Sequence, residues 1–287
     1  MQDKEQLLRD SVKIVLMRTT HPGNIGAVAR AMKNMGFRRL CLVEPLSLNE
    51  TDDFPCFEAT RRASGAVDLL KSAETVETLD QALAGCHLVV GASARSRKMV
   101  WPLMNPRDCA ALVLDRVVHA KSEAPVQVAL LFGQESSGLS NEELQRCHYH
   151  VNVPADPAFS SLNLAMAVQV ICYELRMCLL LDNSASNANE VLSPALGAAL
   201  SSAVTSTSDS WDEPLATVAE VEGFFKHLEK TLIHIGFYDP ANPGMLTTRL
   251  RRLFQRTHLD KMEVNILRGI LTAMQKQGDQ VEKTVER

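Results

Sequence analysis

The chain lacks several features that would fix its role at once. Its seven cysteines (Cys41, Cys56, Cys86, Cys109, Cys147, Cys172, Cys178) are odd in number and never spaced C-x-x-C. That pattern gives neither a disulfide framework nor a paired thiol ligand set, and it points to a reducing, cytoplasmic setting. No uninterrupted apolar run approaches the ~18 residues of a membrane span. The opening Met1-Gln2-Asp3-Lys4-Glu5 has none of the apolar core of a secretory leader. G-x-G-x-x-G and Gly-Lys-Ser/Thr sequences are both missing, which weighs against dinucleotide and P-loop nucleotide chemistry. No Lys or Arg occurs from Met177 to Phe225, a stretch that holds Asp182, Glu190, Asp209, Asp212, Glu213, Glu220 and Glu222.

What is present is an ordinary globular composition, 46% hydrophobic and 22% charged over 287 residues, with formal net charge −4. Basic residues gather at Arg95, Arg97 and Lys98, and again at Arg249, Arg251, Arg252 and Arg256. Such patches bind phosphate whatever the total charge, because charges beyond ~8–10 Å are screened.

Val12–Met17 reads as a strand, 25–35 as a helix stopped by Gly36, and Arg39–Val43 as a buried strand, together a parallel crossover. Further strands are expected at 87–91, 126–132 and 149–153, with a capping box at Ser140-Asn141-Glu142-Glu143 and a long apolar helix over 162–181. The region 51–83 reads as helical in pieces. Alternating strands and helices predict an α/β domain over 1–182, with a mostly parallel sheet covered on both faces. A Ser/Ala/Asn/Thr-rich segment, 183–213, reads as a linker, with a weak helix over 195–204 as an alternative. Residues 214–287 predict a small all-helical module with helices near 218–235, 245–254 and 263–274.

Three polar junctions carry the chemistry. Asn24-x-Gly26-x-x-x-Arg30 sets an amide at a helix mouth and a guanidinium near two turns in; the pair reads as a phosphate or ribose grip, or as an N-cap with a surface arginine. Phe132-Gly133-Gln134-Glu135-Ser136-Ser137-Gly138-Leu139 brackets a turn with two glycines and exposes backbone N–H groups. It is not a nucleophile elbow, since neither Ser136 nor Ser137 has glycine two residues before it. Ser160-Ser161-Leu162-Asn163-Leu164-Ala165 opens the apolar helix, with no neighbouring base to activate either serine. Polar loops at the mouth of an apolar sheet are where α/β proteins hold ligands. The run Cys147-His148-Tyr149-His150 has no second ligand pair at metal-binding spacing, so it reads as structural.

Taken together, Asn24-x-Gly26-x-x-x-Arg30, Phe132-Gly133-x-Glu135-x-x-Gly138-Leu139 and Ser161-Leu162-Asn163 resemble the three ordered motifs of the SpoU/TrmH family of SPOUT-class RNA ribose 2′-O-methyltransferases. The runs 91–97, 141–150, 250–254 and 266–271 are similar to one branch, the TrmJ-type tRNA methyltransferases that act on nucleotide 32 of the anticodon loop. The resemblance implies a C-terminal trefoil knot in the α/β domain, a homodimer, a tRNA substrate and S-adenosylmethionine as methyl donor. It implies donor contacts at Ala92, Ser93, Ala94, Gly133, Val153, Ser160, Ser161 and Leu162. A hydroxyl-bearing residue is common where Ala92 stands, and recognition through the backbone tolerates the change. It nominates Arg30 for the catalytic role, supported by Ser161, Asn163, Asn24 and Glu135, with RNA held by Arg95, Arg97, Arg249, Arg251 and Arg252, and with no metal. Arginine stays protonated below pH ~12, so alignment and stabilisation of a developing alkoxide suit Arg30 better than proton abstraction. Another tRNA position or rRNA stays open as substrate at this point, as do a non-catalytic RNA-binding role and a metabolic nucleotide-binding enzyme.

Overall fold

The structure is a computed structural model in which residues 2–45, 54–93, 103–119, 125–186 and 213–285 are described. Ala94, Arg95, Arg97 and residues 187–212, including the expected weak helix over 195–204, lie outside the described residues. The chain forms two compact units, Met1–Leu83 with Leu88–Ser210 and Ala84–His87 with Trp211–Arg287.

The first unit is built on seven strands: β1 (Val12–Met17), β2 (Arg39–Val43), β3 (Glu74–Val76), β4 (Leu88–Ala92), β5 (Leu103–Met104), β6 (Val128–Phe132) and β7 (Tyr149–Val151). They pair in parallel in the order β3-β2-β1-β6-β4-β7-β5. The central strands are apolar throughout, as Ile14, Val15, Leu16, Val89, Val90, Leu130 and Leu131 are all buried. A parallel strand covered on both faces requires such a run rather than alternation.

Eight α-helices belong to this unit among the described residues: α1 (Gln2–Ser11), α2 (Pro22–Asn34), α3 (Phe57–Ala63), α4 (Val67–Lys71), α5 (Leu79–Leu83), α6 (Pro106–Val118), α7 (Asn141–Leu144) and α8 (Leu164–Ser186). α8 packs on α2 and α6, and α2 also packs on α3. Gly26 permits the last contact, since a Cβ there would lie 2.1 Å from the Ala59 carbonyl oxygen.

Several boundaries differ from the sequence reading. α2 starts at Pro22 rather than near residue 25, because proline suits the first helical turn and His21 supplies the cap, its Nδ1 accepting from the Gly23 N–H at 3.1 Å. Asn24 is therefore inside the first turn, and its side chain is released from capping. α1, β3, β5 and α6 were not expected. α8 is long and apolar enough to cross a membrane by length and composition. The reading by uninterrupted runs passed over it because Glu174, Arg176 and Asp182 break the run. It is a sheet-covering helix that buries Val168, Ile171, Cys172 and Leu175.

β2 and β3 lie on one side of β1, while β6, β4, β7 and β5 lie on the other. This is a topological switch point, outside which open parallel sheets hold ligands at the carboxyl ends of the strands. The segments that leave β6 and β7 there contain the second and third motifs, and the first lies on α2, which follows β1.

The second unit is helical: α9 (Val218–His234), α10 (Leu246–Gln255) and α11 (Lys261–Val285). Thr217 and Glu220 form a capping box on α9, and Asp260 and Glu263 do the same for α11. Phe224, Phe225, Val264 and Leu271 make its core, with Phe254 edge-on to Phe224 at 4.9 Å between ring centroids.

Candidate active site and nucleic-acid interface

The loop after β6 closes on itself. Gly138 adopts φ +69° and donates its N–H to the Gln134 carbonyl at 2.8 Å. Gly133 is obligatory at this closure, because a Cβ there would come within 2.1 Å of Gly138 and 2.2 Å of Leu139 backbone atoms. The loop walls an open cleft at the carboxyl ends of β6 and β7. Ala92, Ser93, Gly133, Val153, Ser160, Ser161 and Leu162 all line it, together with Phe132, Gln134, Glu135, Leu139 and Val151. Every described residue expected to touch a donor thus borders one cavity. The apolar members Phe132, Leu139 and Val151 were not among the expected donor contacts; Phe132 and Val151 are the last residues of β6 and β7, and Leu139 closes the second motif.

Beside the cleft runs a chain of hydrogen bonds. Ala165 N–H donates to Asn163 Oδ1 at 2.9 Å, Asn163 Nδ2 donates to Asn24 Oδ1 at 3.2 Å, and Asn24 Nδ2 donates to Glu135 Oε1 at 2.9 Å. Thr20 donates both its N–H (3.0 Å) and its hydroxyl (2.9 Å) to Glu135 Oε2. Partial burial pushes the Glu135 carboxyl up, but the bonds from Asn24 and Thr20 outweigh that and hold it below the usual carboxylate range. Glu135 is therefore an ionised acceptor at neutral pH. Asn163 doubles as the α8 cap, whereas Ser160 and Ser161 stand clear of that role in the cleft wall.

Asn24, Glu135 and Asn163 are thus brought together, and Thr20, which the sequence reading did not single out, completes the set. Arg30 is not in this network. It is exposed on α2, one turn beyond Gly26, with no hydrogen-bond or ion-pair partner among the described residues.

The Cys147–His150 run holds backbone. His148 Nδ1 accepts from the Val89 N–H at 3.0 Å, His150 Nε2 meets the Leu144 carbonyl at 3.1 Å, and Cys147 Sγ donates to the Glu143 carbonyl at 3.4 Å. Burial depresses the His148 imidazole to about 4, so it stays neutral.

In the helical unit the basic cluster divides. Arg251 forks onto Glu222 and stacks 4.5 Å from the Phe225 ring centroid, with both charged side chains largely buried. Arg249, Arg252 and Arg256 are exposed, and their side chains have no ion-pair partner among the described residues. At 100° per residue these three fall within a ~60° arc, with Arg251 on the opposite side of α10. Arg256 was absent from the expected RNA contacts, and helical period was the signal that would have preferred it to Arg251.

A sequence profile described as the SpoU rRNA Methylase family matches residues 11–173. The chain belongs to the SpoU methylase family. A second profile, described as the tRNA methyltransferase TrmJ C-terminal domain, matches 219–283, within the helical unit. Among curated relatives, the tRNA (cytidine/uridine/adenosine-2′-O-)-methyltransferase TrmJ of Pseudomonas aeruginosa is 48% identical over 93% of this chain and 95% of its own length. The tRNA (cytidine/uridine-2′-O-)-methyltransferase TrmJ of Pectobacterium atrosepticum is 44% identical over 94% and 99%. Relatives of that extent put this SpoU-family chain in the TrmJ branch. Among solved structures, TrmJ from Z. mobilis ZM4 superposes with TM-score 0.69 at 30% identity, covering 91% of this chain and 98% of the other. A probable methylase family protein from Haemophilus influenzae gives 0.53 at 37% identity, covering 94% and 98%.

Proposed function

We infer that this chain transfers a methyl group from S-adenosylmethionine to a ribose 2′-hydroxyl of tRNA, at nucleotide 32 of the anticodon loop. One observation carries the reading: the cleft lined by Ser93, Gly133, Ser160 and Ser161 lies directly beside the Thr20–Glu135–Asn24–Asn163 network, and Glu135 belongs to both. The relatives' names support the tRNA substrate and the 2′-O position.

The residues fit the donor. Gly133 lets the loop fold back against Gly138 and Leu139 to form one wall of the cleft, and Ser93, Ser160 and Ser161 put polar groups among the apolar Ala92, Val153 and Leu162. S-adenosylmethionine supplies a methyl on a sulfonium when bound. Asn24 and Asn163 each keep one Nδ2 hydrogen outside the network, and these are the donors available to a nucleotide. Arg30 aligns the 2′-oxygen and stabilises its developing negative charge, and the proton leaves to a phosphate or to water. Holding both reactants in line supplies much of the remaining acceleration.

The functional form is a homodimer whose catalytic domain follows the knotted path of its class. The freedom of Arg30 supports a site composed from two copies, with Arg30 of one serving the cleft of the other. Met166, Tyr173 and Leu180 stay exposed on α8 at intervals of seven residues, an apolar seam suited to a second copy. Division into a catalytic domain over 1–182, a linker over 183–213 and a tRNA-binding extension over 214–287 belongs to the same reading, with Arg249, Arg252 and Arg256 facing phosphate. Its setting is cytoplasmic, where tRNA is matured and the seven free cysteines stay reduced.

Thermal-shift ranking tests the donor: S-adenosylmethionine raises the melting temperature, while NAD and ATP leave it unchanged. Stabilisation by NAD or ATP alone would move the chain to nucleotide metabolism.

A further inference from the structure

We propose that the corner Arg18-Thr19-Thr20, at the carboxyl end of β1, is a two-point clamp that positions the 133–140 loop for the reaction. It rests on the methyltransferase reading and adds two positioning residues, Thr20 on the acceptor side and Arg18 on the donor side.

The acceptor side is a directional chain. The Ala165 N–H can only donate, so it fixes the orientation of the Asn163 amide, which in turn fixes that of Asn24 and brings the Asn24 Nδ2 onto Glu135. Thr20 is the far stop, holding the other carboxylate oxygen from both its N–H and its hydroxyl. Without the hydroxyl, Glu135 can rotate, and the spare amide hydrogens of Asn24 and Asn163 lose their aim.

The other end of the same loop is fixed by Arg18. Ser140 caps α7, and the buried Glu143 accepts from the Ser140 N–H at 2.6 Å with one oxygen and from Arg18 with the other. Arg18 also reaches Glu44 at 3.6 Å. Two residues of β1's exit therefore grip the loop at Glu135 and again just past Ser140. Arg18 does so with φ +44°, a left-handed conformation uncommon outside glycine, while its N–H is bound to the Val43 carbonyl at 2.8 Å. Such strain persists where the surrounding structure over-determines it, and functional sites are where it collects.

The test uses the full-length protein as wild type, T20V, T20S, R18M and R18M/E143M. Wild-type methylation of tRNA tests the methyltransferase reading by itself; the clamp is judged on differences between variants, including amide exchange over 133–140, which needs no turnover. T20V is expected to lower kcat about tenfold, with tRNA KM and affinity for S-adenosylhomocysteine within twofold, and T20S to restore kcat. R18M is expected to weaken S-adenosylhomocysteine binding about tenfold, with partial recovery in R18M/E143M once the buried carboxylate is gone. Loop amides are expected to exchange at least tenfold faster in T20V and R18M. Wild-type exchange and kinetics in T20V, or the same uniform loss in T20V and R18M without rescue by T20S, would overturn the clamp.

Discussion

The polar groups of the sheet unit's cleft and the arginines of the helical unit's α10 are organised in opposite ways. Around the cleft, the functional polar groups are bound to one another: Thr20, Glu135, Asn24 and Asn163 form one chain of bonds, and the cleft beside it is shaped by backbone at Gly133 and Gly138. On α10 the arginines suited to function are those bound to nothing, and the one that is bound, Arg251, holds the unit together. The difference follows from the ligands proposed. A small donor must be held in one geometry, which requires a preorganised wall. An RNA backbone is attracted by unpaired charge and tolerates adjustment. Among the sheet-unit residues assigned to the reaction Arg30 is an exception, an exposed cation on α2 outside that network with no ion-pair partner among the described residues, which suits a group whose counter-charge arrives with the substrate.

Breaking the exception should have the largest effect. Arg30→Ala is expected to reduce single-turnover methyl transfer by at least about 100-fold while donor affinity by calorimetry stays within twofold. Lost donor affinity with residual turnover would return Arg30 to the cleft wall.

The structural arginine comes next. Arg251→Ala removes the forked, charge-assisted bonds to the largely buried Glu222, which should cost roughly 2 kcal/mol of stability in the helical unit, read by denaturant unfolding. A change under about 0.5 kcal/mol would put Arg251 back among the surface residues.

His148 sharpens the contrast from the structural side. Its folded-state value, about 4, lies below the ordinary value of 6.5, so the unfolded chain takes up the proton first. Stability from this residue is complete above pH 6.5 and is lost as pH falls from there towards 4. That loss should reach roughly 2–3 kcal/mol in the wild type and vanish in His148→Asn, measured at pH 7 and pH 4.5. Equal acid sensitivity in both proteins would refute it.

The smallest effects belong to the free arginines of α10. Arg249→Ala, Arg252→Ala and Arg256→Ala should each lower the slope of log affinity for tRNA against log salt by about 1. An unchanged slope for Arg256 would break the helical-face assignment.

Much of the fold and site was legible because glycine, serine and asparagine punctuate the strand ends. The central strands β1, β2, β4 and β6 were found from apolar runs, and the Ser140 capping box was found from its spacing. The edge elements were not: β3 and β5 are only three and two residues long, too short to show a period. Asn24 read as a cap or as a ligand until His21 was seen to cap α2. Thr20 was hidden because its partner, Glu135, lies 115 residues away, and only the parallel register of β1 with β6 brings their loops together. Arg251 was misgrouped for a different reason. Adjacent charges were read as one patch, although the 3.6-residue period separates Arg251 from Arg249, Arg252 and Arg256.

The most direct measurement is to incubate the purified protein with labelled S-adenosylmethionine and bulk tRNA and to map the label by nucleotide and atom. The expected result is a 2′-O-methyl group on the ribose of nucleotide 32, absent with Arg30→Ala. Label on a base, on rRNA alone, or nowhere would contradict the proposed function.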